Sequence, residues 1–378
     1  MNWSIREIQK LCKITRGASP RPIQKWMTER EDGIPWIKIS DATSSGGRTI
    51  ERTAGRILRE GEKKSVSVYE GDLILSNSAT PGIPKFVGIH ACIHDGWLLL
   101  REFKDTVPEF LFYLLKHERR NLVAQGNGSV FTNLKTDILK NHQVSVPPLA
   151  EQKAIAHILG TLDDKIELNQ KMNQTLEEIA KAIFKSWFVD FDPVRAKAEG
   201  RPTGLPPEIS DLFPDELVDS EIGEIPKGWE IAPLDEIGNF RNGLALQKYP
   251  AKDGEEKLPV VKIAQLRKGS TNGDELFASG VPSDFVITDG DYVFSWSGSL
   301  MAKYWVGGKG ALNQHLFKVE ERTQPLWFIA GWVEHFMPEF QSIAESKATT
   351  MGHIKREHLR QAICAIPPEE WITRSTEV

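Results

Sequence analysis

A chain of 378 residues, 40% hydrophobic and 26% charged, has room for two or three globular domains and is not of a disordered class. No run of about 18 apolar residues occurs and the amphipathic start has no apolar signal region, which argues against a membrane span or a secreted protein. The three cysteines, Cys12, Cys92 and Cys364, are odd in number and far apart, so neither a disulfide framework nor a paired-cysteine metal site is expected, and a reducing cytoplasm is the expected location. The net charge of −5 divides unevenly, +6 over residues 1–149, −7 over 150–228 and −4 over 229–378, so only the first segment suits a polyanion by charge alone.

In chain order, Gly71-Asp72 followed by Leu73 to Ser76 reads as a turn entering a buried strand. Residues 108–120 read as a helix with proline in its first turn, and 144–146 as a strand. Residues 150–190 differ in kind. Ile155, Leu159, Leu162, Ile166, Asn169, Asn173, Leu176, Ala180, Ile183 and Trp187 follow one another at alternating spacings of four and three, a heptad seam. A helix of about 40 residues is about 60 Å long, and its stripe needs a partner to be stable. An amide at a seam position penalises registers in which it has no mate, so Asn169 and Asn173 are expected to select one pairing. Residues 193–228, rich in proline, glycine and acids, read as an extended linker. Asp289-Gly290-Asp291 with Tyr292 to Ser295 then repeats the turn-and-strand pattern, 325–336 reads as a helix and 362–366 as a strand.

These similarities are collinear. Trp3, Ile5 and Ile8 match Trp229, Ile231 and Leu234; Arg16-Gly17 matches Asn242-Gly243; Pro35 and Lys38 match Pro259 and Lys262; Leu134, Leu139 and Pro147-Pro148 match Ile354, Leu359 and Pro367-Pro368. The expected fold class is therefore α+β: two similar loop-rich domains, 1–149 and 229–368, separated by a long coiled-coil-type helix at 150–192 and the linker 193–228, with a short tail at 369–378. Two similar units on a stiff spacer suit a ligand with two separated half-sites, and a DNA duplex presents its major groove on one face every 34–36 Å or so.

Pro147-Pro148-Leu149-Ala150-Glu151-Gln152, Asp163-Asp164, Leu168-Asn169, Ser186-Trp187-Phe188-Val189-Asp190-Phe191-Asp192-Pro193, Glu221 to Trp229 and Asn313-Gln314-His315 together resemble the conserved regions of type I restriction-modification specificity subunits. The resemblance is strong over 147–230 and loose in the two domains. It implies two target-recognition domains reading a bipartite double-stranded DNA target, methyltransferase subunits and restriction subunits as partners, and no catalysis or bound cofactor in this chain. S-adenosylmethionine, ATP and Mg²⁺ are expected on the partners. The family's second helix after the second domain is not matched beyond Pro367-Pro368, so the central stripe is expected to pair with another copy of this chain or with methyltransferase helices. The alternative reading is a coiled-coil adaptor whose two domains bind protein.

Base reading needs forked polar side chains, and phosphate anchoring needs cations and backbone amides. The candidates in the first domain are Arg16, Lys38, Ser40, Asp41, Ser76, Asn77, Ser78, Thr80, Asn127, Ser129, Asn133 and Lys135. In the second they are Asn242, Lys262, Gln265, Arg267, Lys268, Ser295, Trp296, Ser297, Ser299, Lys347, Thr349, His353, Lys355 and Arg356. The sequence has neither a methyltransferase catalytic strand nor a phosphate-binding Gly-x4-Gly-Lys loop. Glu345 and Lys347 resemble a nuclease pattern only weakly, because the first copy lacks the acids, and His90 with His94 does not make a zinc site.

Overall fold

The computed structural model describes residues 3–44, 46–125, 133–271, 273, 275–346 and 352–377. The chain divides into two compact units, Met1–Gln174 and Thr175–Val378.

In the first unit, strands Lys13–Arg16, Trp97–Arg101, Leu73–Ser76, Pro84–Val87 and Thr49–Ile50 form one sheet in that order. A second sheet runs Met27–Thr28, Gly55–Ile57, Ile34–Ile37, Ala91–Ile93, Val66–Val68. Leu73, Ile74 and Leu75 are fully buried, as are Trp97, Leu98 and Leu100. Continuous apolar runs of this kind are what a strand covered on both faces requires. Ser4–Glu7 pairs antiparallel with Gln143–Val146, which joins the two ends of the domain's chain.

The second unit repeats this plan. Gly238–Asn242, Leu316–Glu321, Tyr292–Ser295 and Met301–Tyr304 form one sheet; Phe277–Ala278, Leu258–Val261, Gly310–Leu312 and Val286–Ile287 form the other. Each unit has a parallel pair within its second sheet, Ile34–Ile37 with Ala91–Ile93 and Leu258–Val261 with Gly310–Leu312; the first unit has another at a sheet edge, Thr49–Ile50 with Pro84–Val87. Glu230–Pro233 pairs with Ile363–Ile366 as the closing ribbon. The two Gly-Asp turns work alike: Gly71 and Gly290 adopt positive φ. Asp72 accepts the Tyr69 amide at 2.6 Å, and Asp291 accepts the Thr288 amide at 2.7 Å. The internal repeat is thus a repeat of fold.

The long helix spans Leu149–Phe188 without a break. Each of its ends is held by its own unit. At the N-terminal end Gln152 is buried, accepts from Thr106 Oγ1 (3.1 Å) and the Val107 amide (3.0 Å), and donates to the carbonyls of Asp105 (3.2 Å) and Pro147 (2.9 Å). Tyr113 donates to Asp163 at 2.9 Å, and Arg48 pairs with Asp164 and Glu167. At the C-terminal end Phe184 and Phe188 are buried among Phe328, Trp332, Trp229 and Trp371. The helix stops where Phe191 takes a left-handed φ of 56°, Ser186 Oγ donates to Asp192, and Pro193 opens the next short helix.

Within this chain the seam is packed only at its two ends. Of its members, Ile155 and Trp187 pack on the cores. Leu159, Leu162, Ile166, Leu176 and Ile183 are exposed, and so are Asn169 and Asn173. Docking is completed by Gln152, which continues the seam register by one step, and by Ala156, Phe184 and Phe188, each one residue beyond a seam position. Residues 193–228 are likewise not an extended linker. They form the short helices Asp192–Ala198 and Pro207–Ser210 and the hairpin of Leu217–Ser220 with Gly223–Pro226, with Val194, Phe213 and Ile225 buried in the second core. The prolines and glycines there shape turns between apolar anchors. Residues 369–377 form a helix whose Trp371 is buried against Phe188 and Phe213.

Burial raises the thiol pKa of all three cysteines, to about 12 for Cys12, which keeps them protonated and unreactive.

Gln152→Ala removes four bonds and strands buried partners, so urea unfolding should show the first unit destabilised by about 2–3 kcal/mol; an unchanged midpoint would mean that water already satisfies those groups. Gly331 lies against Phe184, whose ring would sit 2.2 Å from an added Cβ. Gly331→Ala should therefore cost the second unit about 1–3 kcal/mol by overpacking, read in the same experiment.

Candidate nucleic-acid interface

In each unit the end of one parallel strand, Ala91–Ile93 or Gly310–Leu312, meets the end of the strand of the other sheet that carries Arg16 or Asn242. The crossing is close enough to exclude a side chain: a Cβ on Gly17 would meet the His94 carbonyl at 2.1 Å, and one on Gly243 would meet the Asn313 carbonyl at 2.3 Å. The backbone bonds around this point are repeated too. Gly17 and Gly243 donate to Trp97 and Leu316, both at 2.9 Å, and Leu134 and Ile354 donate to Asn77 at 2.8 Å and Trp296 at 3.0 Å. Four loops are thereby brought together at one end of each domain, and loops on a rigid scaffold are where recognition residues belong.

In the first unit the loops converge on the turn His94-Asp95-Gly96. The Asp95 carboxylate accepts from Ser19 Oγ at 2.7 Å and lies 3.9 Å from Arg16 and 3.7 Å from Arg21. Its backbone carbonyl accepts Arg16 Nε at 2.9 Å and Asn77 Nδ2 at 3.2 Å. The Ser19 hydrogen bond, helped by His94 and Arg16, holds the Asp95 carboxyl below its usual pKa. Burial lowers that of His94, against the pull of the Asp95 and Asp41 charges. Lys38, Arg21, Trp36, His94 and Asp95 line a cleft of about 870 Å³.

In the second unit the same place holds an aromatic cluster. Trp296 Nε1 donates to Asn242 Oδ1 at 3.0 Å, and its ring lies 5.8 Å from His315 and 6.4 Å from His353. Ser297 Oγ is 3.0 Å from His315 Nδ1. Arg356 donates to the Phe240 carbonyl at 2.9 Å and stands over the Phe317 ring. Lys262, Arg267 and Lys268 are exposed on or beside the short helix Ile263–Lys268, whose Ile263 lies against Gly298 of the adjoining turn.

Several candidate side chains are committed to the scaffold instead. Asp41 is buried and accepts the amides of Lys38 (2.7 Å) and Ala54 (3.1 Å), capping its short helix. Gln265 accepts the Lys262 amide at 3.2 Å in the equivalent position. Ser76 is buried between the Thr80 carbonyl and the Ile83 amide, and Ser295 is buried against the Ser297 carbonyl. Asn77 and Ser297 are buried as well. Their polarity shapes the turns, because a strand leaving the core must satisfy its last buried groups. Arg16, Ser40, Asn133, Lys135, Asn242, Lys262, Arg267, Lys268, Ser299, His353, Lys355 and Arg356 are exposed, while Lys38, Ser78, Thr80 and Trp296 are half-buried. Asn127, Ser129, Lys347 and Thr349 lie outside the described residues. Sequence reasoning missed Ser19, Arg21 and Asp95. The repeat places His94-Asp95-Gly96 opposite Asn313-Gln314-His315, and that alignment was the available signal.

Among the described residues no three histidine, cysteine or acidic side chains are grouped to hold a metal ion, and no helix is long and apolar enough to cross a membrane.

Residues 1–178 match the family described as the type I restriction modification DNA specificity domain. The chain is 25% identical to the type I restriction enzyme MjaIX specificity subunit of Methanocaldococcus jannaschii, covering 97% of this chain and 84% of that protein. It is 34% identical to the type I restriction enzyme HindI specificity subunit of Haemophilus influenzae over 53% of this chain, and spans about half of that relative, 54%. The crystal structure of the type I restriction-modification system S subunit from M. genitalium shares the fold, with a TM-score of 0.52 at 13% identity, covering 100% of this chain and 88% of that one. With two copies of one fold and a continuous helix running from one copy into the other, the chain is similar along its length to type I restriction enzyme specificity subunits, and its residues 1–178 match their DNA specificity domain.

Proposed function

We propose that this chain is the non-catalytic, sequence-reading subunit of a type I restriction-modification complex. In this reading each unit contacts one half of a bipartite duplex target through the loop cluster at the end of its parallel strands, and the long helix is the spacer. Methyltransferase and restriction subunits assemble on the chain and supply the chemistry, with S-adenosylmethionine, ATP and Mg²⁺ bound by them and not here.

The observation that carries the reading is the repetition of one scaffold with different chemistry at its tip: arginines and a carboxylate around Asp95 in one unit, Trp296 with Asn242 and two histidines in the other. Conserved backbone bonds with divergent side chains suit two readers of different sequences. Lys38 and Lys262 occupy the same position, the residue before a short helix at the end of a parallel strand, which suits a sequence-independent phosphate contact in both halves. The exposed stripe of Leu159, Leu162, Ile166, Leu176 and Ile183 supports a helical partner, from the methyltransferase or from a second copy of this chain.

Binding of the chain with its methyltransferase to duplex DNA, followed by fluorescence anisotropy across a salt series, tests this. Affinity should fall steeply with salt, and Lys38→Ala or Lys262→Ala should weaken binding to every sequence alike and reduce the slope of log affinity on log salt by about 1. Binding indifferent to salt and to sequence would favour the adaptor reading.

A further inference from the structure

We propose that Asp95 is a positioning residue that aims the Arg16 guanidinium at a guanine, so that the half-site of the first unit contains a G·C pair read by Arg16. This rests on the DNA-reading function proposed above and adds to it a named reader and a named base.

Arg16 stands at the exposed end of strand Lys13–Arg16. Its Nε proton is taken by the Asp95 carbonyl at 2.9 Å, and its Nη2 faces the Asp95 carboxylate at 3.9 Å. These two approaches to one residue restrain the fork on its Nε and Nη2 side, and Nη1 takes part in neither. Guanine presents two acceptors, O6 and N7, side by side in the major groove, and the planar fork of arginine matches both. A guanidinium already held in plane loses less freedom on making that contact than one on a loose side chain.

Asp95 is itself restrained. Ser19 Oγ holds one carboxylate oxygen at 2.7 Å, and the backbone of the turn is tied to Asn77. An acid at this position opposes the phosphate attraction on which duplex affinity depends. Its presence among Arg16, Arg21 and Lys38 is accounted for by the orientation it imposes. The second unit has Gln314 at the corresponding place and Asn242 in place of Arg16, so the arrangement belongs to one half-site alone.

The test is selection of a randomised duplex pool by the full chain in complex with its methyltransferase, comparing wild type, Arg16→Ala, Arg16→Lys and Asp95→Asn. Wild type should enrich a two-part motif with guanine at one fixed position of one half. Arg16→Ala and Arg16→Lys should each reduce preference at that pair about tenfold or more, leaving the other half-site as an internal control of folding. Asp95→Asn should flatten the same position while binding to random duplex strengthens, because one negative charge is gone. A purely electrostatic role predicts that strengthening with the motif unchanged, and that result overturns the proposal. So does an intact motif in either Arg16 variant, or loss of preference in both halves with Arg16→Lys. A wild-type complex that enriches no motif refutes the DNA-reading function itself, and this inference with it.

Discussion

The structure depends on a single helix being held at its two ends. A forty-residue helix is not kept in place by propensity, and most of this one's middle is exposed. One end is gripped by a polar lock, in which the buried amide of Gln152 makes four hydrogen bonds worth roughly 1 kcal/mol each. The other end is gripped by aromatic burial, with Phe184 and Phe188 each contributing about 1.5–3 kcal/mol by leaving water. The polar lock is directional and sets the rotation of the helix about its axis. The aromatic grip is of similar size and less directional, and it needs Gly331 to let the ring approach. Because both grips lie at the ends of the helix, the apolar stripe between them is left exposed.

The two units show how one scaffold accommodates different recognition chemistry. What repeats is backbone: the parallel pair, the ribbon that closes each domain, the glycine crossing and the hydrogen bond from Leu134 or Ile354 into the tip. What differs is the set of side chains those bonds display. Asp95, Arg16 and Arg21 form a charged cluster in one unit, while Trp296, His315 and His353 form an aromatic one in the other. A backbone bond does not depend on side-chain identity, so the tip can vary without loss of the scaffold.

The net charge is a poor guide to such a surface. Acids such as Asp72, Asp163 and Glu167 are engaged in ion pairs or hydrogen bonds to Arg101, Tyr113 and Arg48. On the reading proposed above, the arginines and lysines available to a duplex are the ones exposed at the tips, and one acid, Asp95, stands among them in contact with Arg16.

Much of this was determined by sequence alone. The repeat, the two long helices outside the spacer region and the continuity of 149–188 follow from local periodicity, which the chain carries wherever it goes. The family resemblance rests on short motifs around 147–152 and 186–193, which contain Gln152 and Phe188, one residue from each grip on the helix. Tertiary structure decided the rest. Whether Asp41, Ser76 and Asn77 face solvent or cap a turn depends on which strand ends lie beside them, and those neighbours are distant in sequence. The acidic, proline-rich stretch 193–228 is folded because Val194, Phe213 and Ile225 find a core made by other segments. Asp95 gains its place only when strands from residues 13, 73 and 91, drawn from two sheets, end beside one another. Burial and partnership are properties of that meeting, and spacing along the chain does not encode them.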